Sequence, residues 1–176
     1  MMQGILNFME ATQRALSLPI GQVLEVGSMN VNGTPRTVFQ HLATDYIGVD
    51  IATGNCVDFV MSGEELTRHF PARYFDTVIC CETLEHCVRP WRVIEEMKQV
   101  LKPGGHLWIS TPTFGFPLHC FPIDCYRFGE DAYRLFFYEG CKLLGLTHVL
   151  DELKQPAIAA VGRLGSGKEK NGCGPD

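Results

Sequence analysis

A doubly wound α/β domain with a mostly parallel sheet is the fold class this sequence predicts. Short apolar runs alternate with amphipathic segments along most of the chain, the pattern of parallel strands covered by helices on both faces. The first of those runs, Val23 to Val26, ends in Gly27, as a buried strand does when it enters a tight turn. Size agrees with this: 176 residues, 45% hydrophobic and 20% charged, make one domain that buries on the order of 70% of its unfolded surface.

The elements follow in order. Ile5, Phe8, Met9 and Leu16 lie close to a helical stripe that Pro19 ends, which predicts an N-terminal amphipathic helix within residues 1–18. After the first strand, Thr34 to Leu42 reads as a helix with Thr34 as N-cap and Pro35 at its first position. Residues 46–50 and 56–61 read as strands two and three, Glu64 to Phe70 as a short helix, and residues 75–81 as strand four. Val93, Ile94, Met97, Val100 and Leu101 share one face of a helix from Trp91 to Leu101, closed by Lys102, Pro103 and the Gly104–Gly105 pair. Residues 106–111 make strand five. From Pro112 to Phe128 the chain carries three prolines and several aromatic residues, too long and too aromatic for a plain connector. A helix from Glu130 to Gly140 and strands Leu144–Leu150 and Ala157–Arg163 follow, and residues 165–176 read as a polar, Gly-rich, flexible tail.

Composition excludes several function classes. Lys plus Arg number 15 against 20 Asp plus Glu, a net charge of −5, so neither nucleic acid nor an anionic membrane is the expected partner. No apolar run approaches the roughly 20 residues of a membrane span. Of the N-terminal residues, none forms a basic stretch ahead of the apolar ones, and Glu10 and Arg14 interrupt the segment. The eight cysteines therefore read as reduced thiols of a cytoplasmic protein. There is no C-x-x-C pair, and His119, Cys120 and Cys125 lack the paired spacing of a zinc site, so no metal is expected. The stretch from Gly162 to Lys168 matches G-x-x-x-x-G-K, but Glu169 stands where a phosphate loop needs Ser or Thr.

In an open α/β sheet, ligands bind beyond the carboxyl ends of the strands. Gly27 permits a sharp turn there, and Gly33 precedes a helix whose first N–H groups are free. The dinucleotide pattern G-x-G-x-x-G is absent, because Met29 and Asn32 occupy its second and third glycine positions; a nicotinamide-dependent reductase is disfavoured. Asp50, 25 residues after Glu25, stands where an acid accepts both hydroxyls of a ribose. An adenosine-type ligand follows.

LEVGSMNVNG, YIGVD, FDTVICCETLEH and LKPGGHLWIST, in this order and spacing, resemble the successive motifs of class I S-adenosylmethionine-dependent methyltransferases of the small-molecule (type 11) sort. The resemblance covers roughly residues 20–163. It implies a Rossmann-like methyltransferase fold of seven strands with the last antiparallel, a methyltransferase domain over residues 19–164, and S-adenosylmethionine as cofactor. It places Glu25 near the methionine amino group, Gly27 and Ser28 under the methionine part, Asp50 on the ribose and Ile51 on the adenine. Ser62 and Gly63 stand where relatives often carry an Asp for the adenine amino group, and Cys81 and Glu82 follow strand four, with His86 facing the sulfonium side. LHCFPIDCYRF resembles a substrate-side segment of some members, which implies substrate contacts for His119, Asp124, Tyr126 and Arg127.

The reaction this implies needs positioning above all, and a base only for a hydroxyl or protonated amine acceptor. His86 and His119 are the expected bases, with Asp124 a third choice. His86 also reads as a polar residue at a helix start, and Arg127 as a partner of Asp124. A small-molecule or sugar-like acceptor is expected. The alternative is a protein or partner subunit that binds the cofactor without catalysis.

Overall fold

A computed structural model describes residues 3–166. Along the chain run α1 (Gln3–Leu16), β1 (Gly21–Val26), α2 (Arg36–Phe39), β2 (Ala43–Asp50), β3 (Phe59–Val60), β4 (Phe75–Cys81), α3 (Pro90–Val100), β5 (Leu101–Pro112), α4 (Glu130–Ala132), β6 (Cys141–Leu150) and β7 (Pro156–Leu164). The strands form one sheet in the order β3-β2-β1-β4-β5-β7-β6. Pairings among β1 to β5 are parallel, and β7 runs antiparallel to both β5 and β6, as the resemblance implied.

Strand parity divides the core in two. Val23, Tyr46, Ile79, Trp108, Ala159 and Val161 point to the face that α1 and α2 cover with Ile5, Met9 and Phe39. Leu24, Val49, Val78, Leu107, Ile109 and Ile158 point to the other face, under Val93, Ile94, Met97 and Val100 of α3. Phe8 of α1 meets Trp108 edge-on at 6.3 Å, so the N-terminal helix packs onto the sheet itself.

Four elements differ from expectation. The helix expected over 34–42 is a single turn whose Arg36 N–H is accepted by Thr34 Oγ1 at 3.2 Å, because β2 already starts at Ala43. Strand three shrinks to Phe59–Val60, both exposed, because Asp58 takes the Gly48 N–H on its carboxylate at 2.7 Å and so caps the ladder's start with a side chain. The Lys-Pro-Gly-Gly segment belongs to β5 and does not trail the helix; Asp76 draws it in, accepting from Lys102 Nζ at 2.8 Å and from Gln22 N–H at 2.9 Å. The helix over 130–140 has one α-turn and then a π-helical stretch, Tyr133–Phe137, with Tyr138 N–H bonded to Tyr133 O at 3.0 Å. The expected tail lies, from residue 167 on, outside the described residues, as do Lys168 and Cys173.

Candidate active site

A cavity of about 1110 Å³ opens at the carboxyl edge of β1, β2 and β4. At the exit of β1, buried Glu25 accepts a hydrogen bond on Oε2 from the Tyr46 hydroxyl at 2.6 Å and on Oε1 from Thr34 Oγ1 at 3.3 Å. Gly27 turns with φ +76°, and its N–H and that of Ser28 both donate to Val49 O, at 2.9 and 3.0 Å. Met29 N–H then reaches Asp50 Oδ2 at 3.1 Å, while Ala52 N–H donates to Asp50 Oδ1 at 3.3 Å. The acid at the end of β2 thus holds the turn that follows β1. Asn30 Oδ1 accepts from Gly33 N–H at 2.9 Å. Ile51, 64% exposed, presents an apolar side chain at the cavity wall.

Burial raises the Glu25 carboxyl to about 7, against the opposing pull of the Tyr46 hydrogen bond and the Arg36 charge. The folded protein therefore holds this proton more tightly than the unfolded chain does, and the group's contribution to stability is complete below its ordinary value of 4.5 and lost as pH rises to about 7. Denaturant unfolding at pH 5 and pH 8 is expected to show a stability loss with rising pH that is smaller in Glu25→Gln. Equal slopes in the two proteins would reject the assignment.

From β3 and β4 come the next groups. Ser62 Oγ accepts from Glu64 N–H at 3.2 Å, and Gly63 leaves room for Val26 and Val93, whose methyls would sit 2.8 and 3.1 Å from a Cβ there. Burial pushes the Cys81 thiol well up. Glu82 takes a positive φ of 51° at the strand exit, and burial raises its carboxyl to about 7 despite the hydrogen bond from Ser110 Oγ at 3.2 Å.

A 3-10 turn, Leu84–His86, leads to the loop side. His86 Nδ1 donates to Ile123 O at 2.5 Å and Cys125 N–H to Glu85 O at 2.8 Å, which clips the long loop onto this turn. The His119 ring lies edge-on to His86, centroids 4.9 Å apart. Asp124 accepts from His119 N–H at 2.7 Å and from Arg127 Nη1 and Nη2 at 2.5 and 2.7 Å, and the Arg127 hydrogen bonds hold its carboxyl far below the usual range. Arg127 also donates to Phe116 O at 3.1 Å and Pro117 O at 2.7 Å. The Tyr126 hydroxyl donates to Val88 O at 3.1 Å, and its ring stacks on Phe128.

Of the residues expected to bind a ligand, Glu25, Gly27, Gly33, Asp50 and Ile51 line the cavity from the first two strands. Ser62, Gly63, Cys81 and Glu82 line it from β3 and β4, and His86 and His119 close the loop end. The structure does not bring Ser28, Asp124, Tyr126 or Arg127 to the wall. Ser28 is buried behind the turn, and the other three spend their polar atoms holding the loop. The sequence reading missed Glu85, which is 0% exposed with neither carboxylate oxygen hydrogen-bonded among the described residues. Its signal was a second acid three residues after Glu82 and next to a histidine.

Residues 24–109 match the family described as "Methyltransferase domain". Over that stretch the chain has the sequence pattern of a methyltransferase domain. The chain is 36% identical over 111 residues to a ubiquinone biosynthesis O-methyltransferase of Dechloromonas aromatica (strain RCB), a match covering 56% of the chain and 47% of the relative. Its matches to such curated relatives span between 25% and 48% of their length. Its fold is that of the Burkholderia thailandensis 1,6-didemethyltoxoflavin-N1-methyltransferase solved with S-adenosylhomocysteine (TM-score 0.72, 16% identity, 93% of this chain and 79% of that one). The YcgJ protein of Bacillus subtilis superposes as well (TM-score 0.68, 14% identity, 92% and 98% coverage). The seven described cysteines are free thiols, and none of the described helices is long and apolar enough to cross a membrane.

Proposed function

We propose that the chain transfers a methyl group from S-adenosylmethionine to a small-molecule or sugar-like acceptor, with residues 19–164 as the methyltransferase domain. One observation carries this reading: a single cavity joins the strand-end acids Glu25 and Asp50 to the imidazoles of His86 and His119. The net charge of −5 favours a small acceptor over nucleic acid, and the free thiols favour a cytoplasmic setting.

The residues present fit the donor. Asp50, oriented by the Met29 and Ala52 N–H groups, keeps lone pairs for two ribose hydroxyls. Ile51 offers an apolar face to adenine, and Ser62 and Gly63 border that end. Glu25, in its ionised form, attracts the methionine ammonium, while Gly27, Cys81 and Glu82 bring the exits of β1 and β4 close to the methionine part, with Ser28 and Gly33 shaping the turn. S-adenosylmethionine supplies a methyl on a sulfonium, ready to leave by in-line displacement. His86 and His119 hold the acceptor end. A carbonyl can only accept, so the bond to Ile123 O fixes the proton of His86 on Nδ1 and leaves Nε2 to take the acceptor's proton. Burial, and next the neighbouring His86, lower the His119 value, which favours the neutral, proton-accepting form of this ring. Asp124 and Arg127 act by holding the loop that carries His119.

Calorimetric titration with S-adenosylhomocysteine is expected to show one equivalent bound and a raised Tm. Transfer from a labelled donor should then be found in a panel of hydroxyl-bearing small molecules, the relative's name making oxygen the first acceptor atom to try. His119→Ala should lower transfer while leaving cofactor affinity within about threefold, since separate contacts are close to additive. Binding without transfer to any acceptor favours the non-catalytic alternative; absence of binding rejects the reading.

A further inference from the structure

Glu85 is fully buried, with both carboxylate oxygens lacking a hydrogen-bond partner among the described residues. A carboxylate in that position is costly unless something positive meets it. Two imidazole nitrogens face it: His86 Nε2 lies 3.6 Å and His119 Nε2 3.9 Å from Glu85 Oε1, and one donor atom from each of the three residues falls within 4.8 Å of the others. The edge of a tetrahedron with bonds of about 2.1 Å is roughly 3.4 Å, so the two carboxylate–imidazole separations reach coordination distance with shifts of about half an ångström or less, and the two rings by closing at most about 1.4 Å.

The hydrogens point the same way. His86 Nδ1–H donates to Ile123 O, so in the neutral ring the lone pair is on Nε2, the atom 3.6 Å from Glu85 Oε1. His119 Nδ1 lies 3.3 Å from Asp124 Oδ2 without a hydrogen bond between them, and a small turn of the ring would make the bond by which an outer carboxylate orients a metal-bound imidazole. Arg127, the nearby cation, is committed to Asp124 and to the carbonyls of the loop.

We infer that Glu85, His86 and His119 form a binding site for one first-row divalent cation at the acceptor end of the cavity. Two imidazoles and one carboxylate suit zinc, cobalt, manganese or iron(II) and leave coordination positions open. His86 and His119 line the cavity, so those positions face it. This replaces the expectation of no metal, which considered His119 only with Cys120 and Cys125. The role of the cation rests on the methyl-transfer reading. With the cation bound, the Nε2 atoms of His86 and His119 are its ligands in place of being the proton acceptors. An acceptor hydroxyl coordinated there would lose its proton to solvent, its oxygen would form the bond to the methyl carbon, and the sulfur would keep the electron pair of the broken bond.

The test is a metal titration of the full chain after dialysis against a chelator. Zn²⁺ is expected to bind at one equivalent by calorimetry, and Co²⁺ to give the weak visible bands of nitrogen and oxygen ligation without the intense sulfur-to-cobalt absorption of a thiolate site. His119→Ala and Glu85→Gln should each weaken the binding at least about tenfold, with S-adenosylhomocysteine affinity in the same samples showing that the variants are folded. A thiolate spectrum, no stoichiometric binding, or wild-type affinity in both variants would overturn the site. If S-adenosylhomocysteine does not bind to the wild-type chain while the cation behaves as expected, the methyl-transfer reading falls and the cation site stands; folding of the variants is then read from their melting curves.

Discussion

Gly27→Ala is expected to lower the Tm by roughly 5–15 °C and to remove most of the cofactor affinity. The left-handed backbone at this position costs an alanine about 1–2 kcal/mol. Its Cβ would stand 2.0 Å from Thr83 Oγ1 and 2.8 Å from Thr83 Cβ. Thr83 is not free to yield, since its hydroxyl donates to Cys81 O at 2.9 Å and the clash reaches its Cβ as well as its tip. Overpacking of that kind adds about 1–3 kcal/mol. For a domain of this length each kcal/mol moves the Tm by about 2–4 °C, which thermal melts followed by circular dichroism will resolve. In a Thr83→Ala background, which removes Oγ1 and Cγ2 but keeps the Cβ at 2.8 Å, part of the steric share should return and the backbone share should not, so the loss should shrink without vanishing. A Gly27→Ala protein that melts with the wild type would mean the turn is not built as described.

Asp50→Ala is expected to reduce S-adenosylhomocysteine affinity by about 10- to 150-fold, the equivalent of about 1.5–3 kcal/mol for lost hydrogen bonds to a charged group. Part of that loss comes through the protein, because Asp50 also accepts the Met29 and Ala52 N–H groups and so fixes the turn under the donor. Asp50→Asn separates the two parts. Its amide oxygen can keep one backbone bond while the charge is gone, so it should recover stability more fully than affinity. Calorimetry on both variants, read beside their melting curves, decides the matter, and an Asp50→Ala protein with wild-type affinity would reject the ribose contact.

Much of this was legible because parity along a strand is a physical constraint. Val78–Cys81 is buried on both faces of the sheet and reads as an unbroken apolar run, and the bounds of its strand, Phe75–Cys81, coincide in the sequence and in the structure. Edge and junction elements were less legible. β3 is fixed by the Asp58 carboxylate on Gly48, a contact across ten residues that no local pattern announces. The start of β5 depends on Asp76, 26 residues before Lys102. In the site, the strand-end positions of Glu25 and Asp50 followed from topology. Glu85 did not, because its meaning lies in what fails to pair with it. Asp124 and Arg127 carry the chemistry of ligand contacts, yet they fold back on each other and on Phe116 and Pro117, and only the path of the loop reveals that.

That path has a consequence for how such a protein changes over time. The guanidinium of Arg127 gathers the carbonyls of Phe116, Pro117 and Tyr126 and the carboxylate of Asp124 into one knot, all within twelve residues of chain. The segment keeps its shape from inside, and besides its two ends it meets the sheet's edge chiefly through Ile123 O and Cys125 N–H at the Glu85–His86 turn. A piece built in this way is a module. Its side chains Phe121 and Ile123, exposed and at the cavity wall, can be exchanged without disturbing Arg127 or the strand exits that form the other half of the cavity. Divergence of what is accepted can therefore proceed on one side while the donor half stays constant, and recombining this segment between relatives is the economical route to new acceptors.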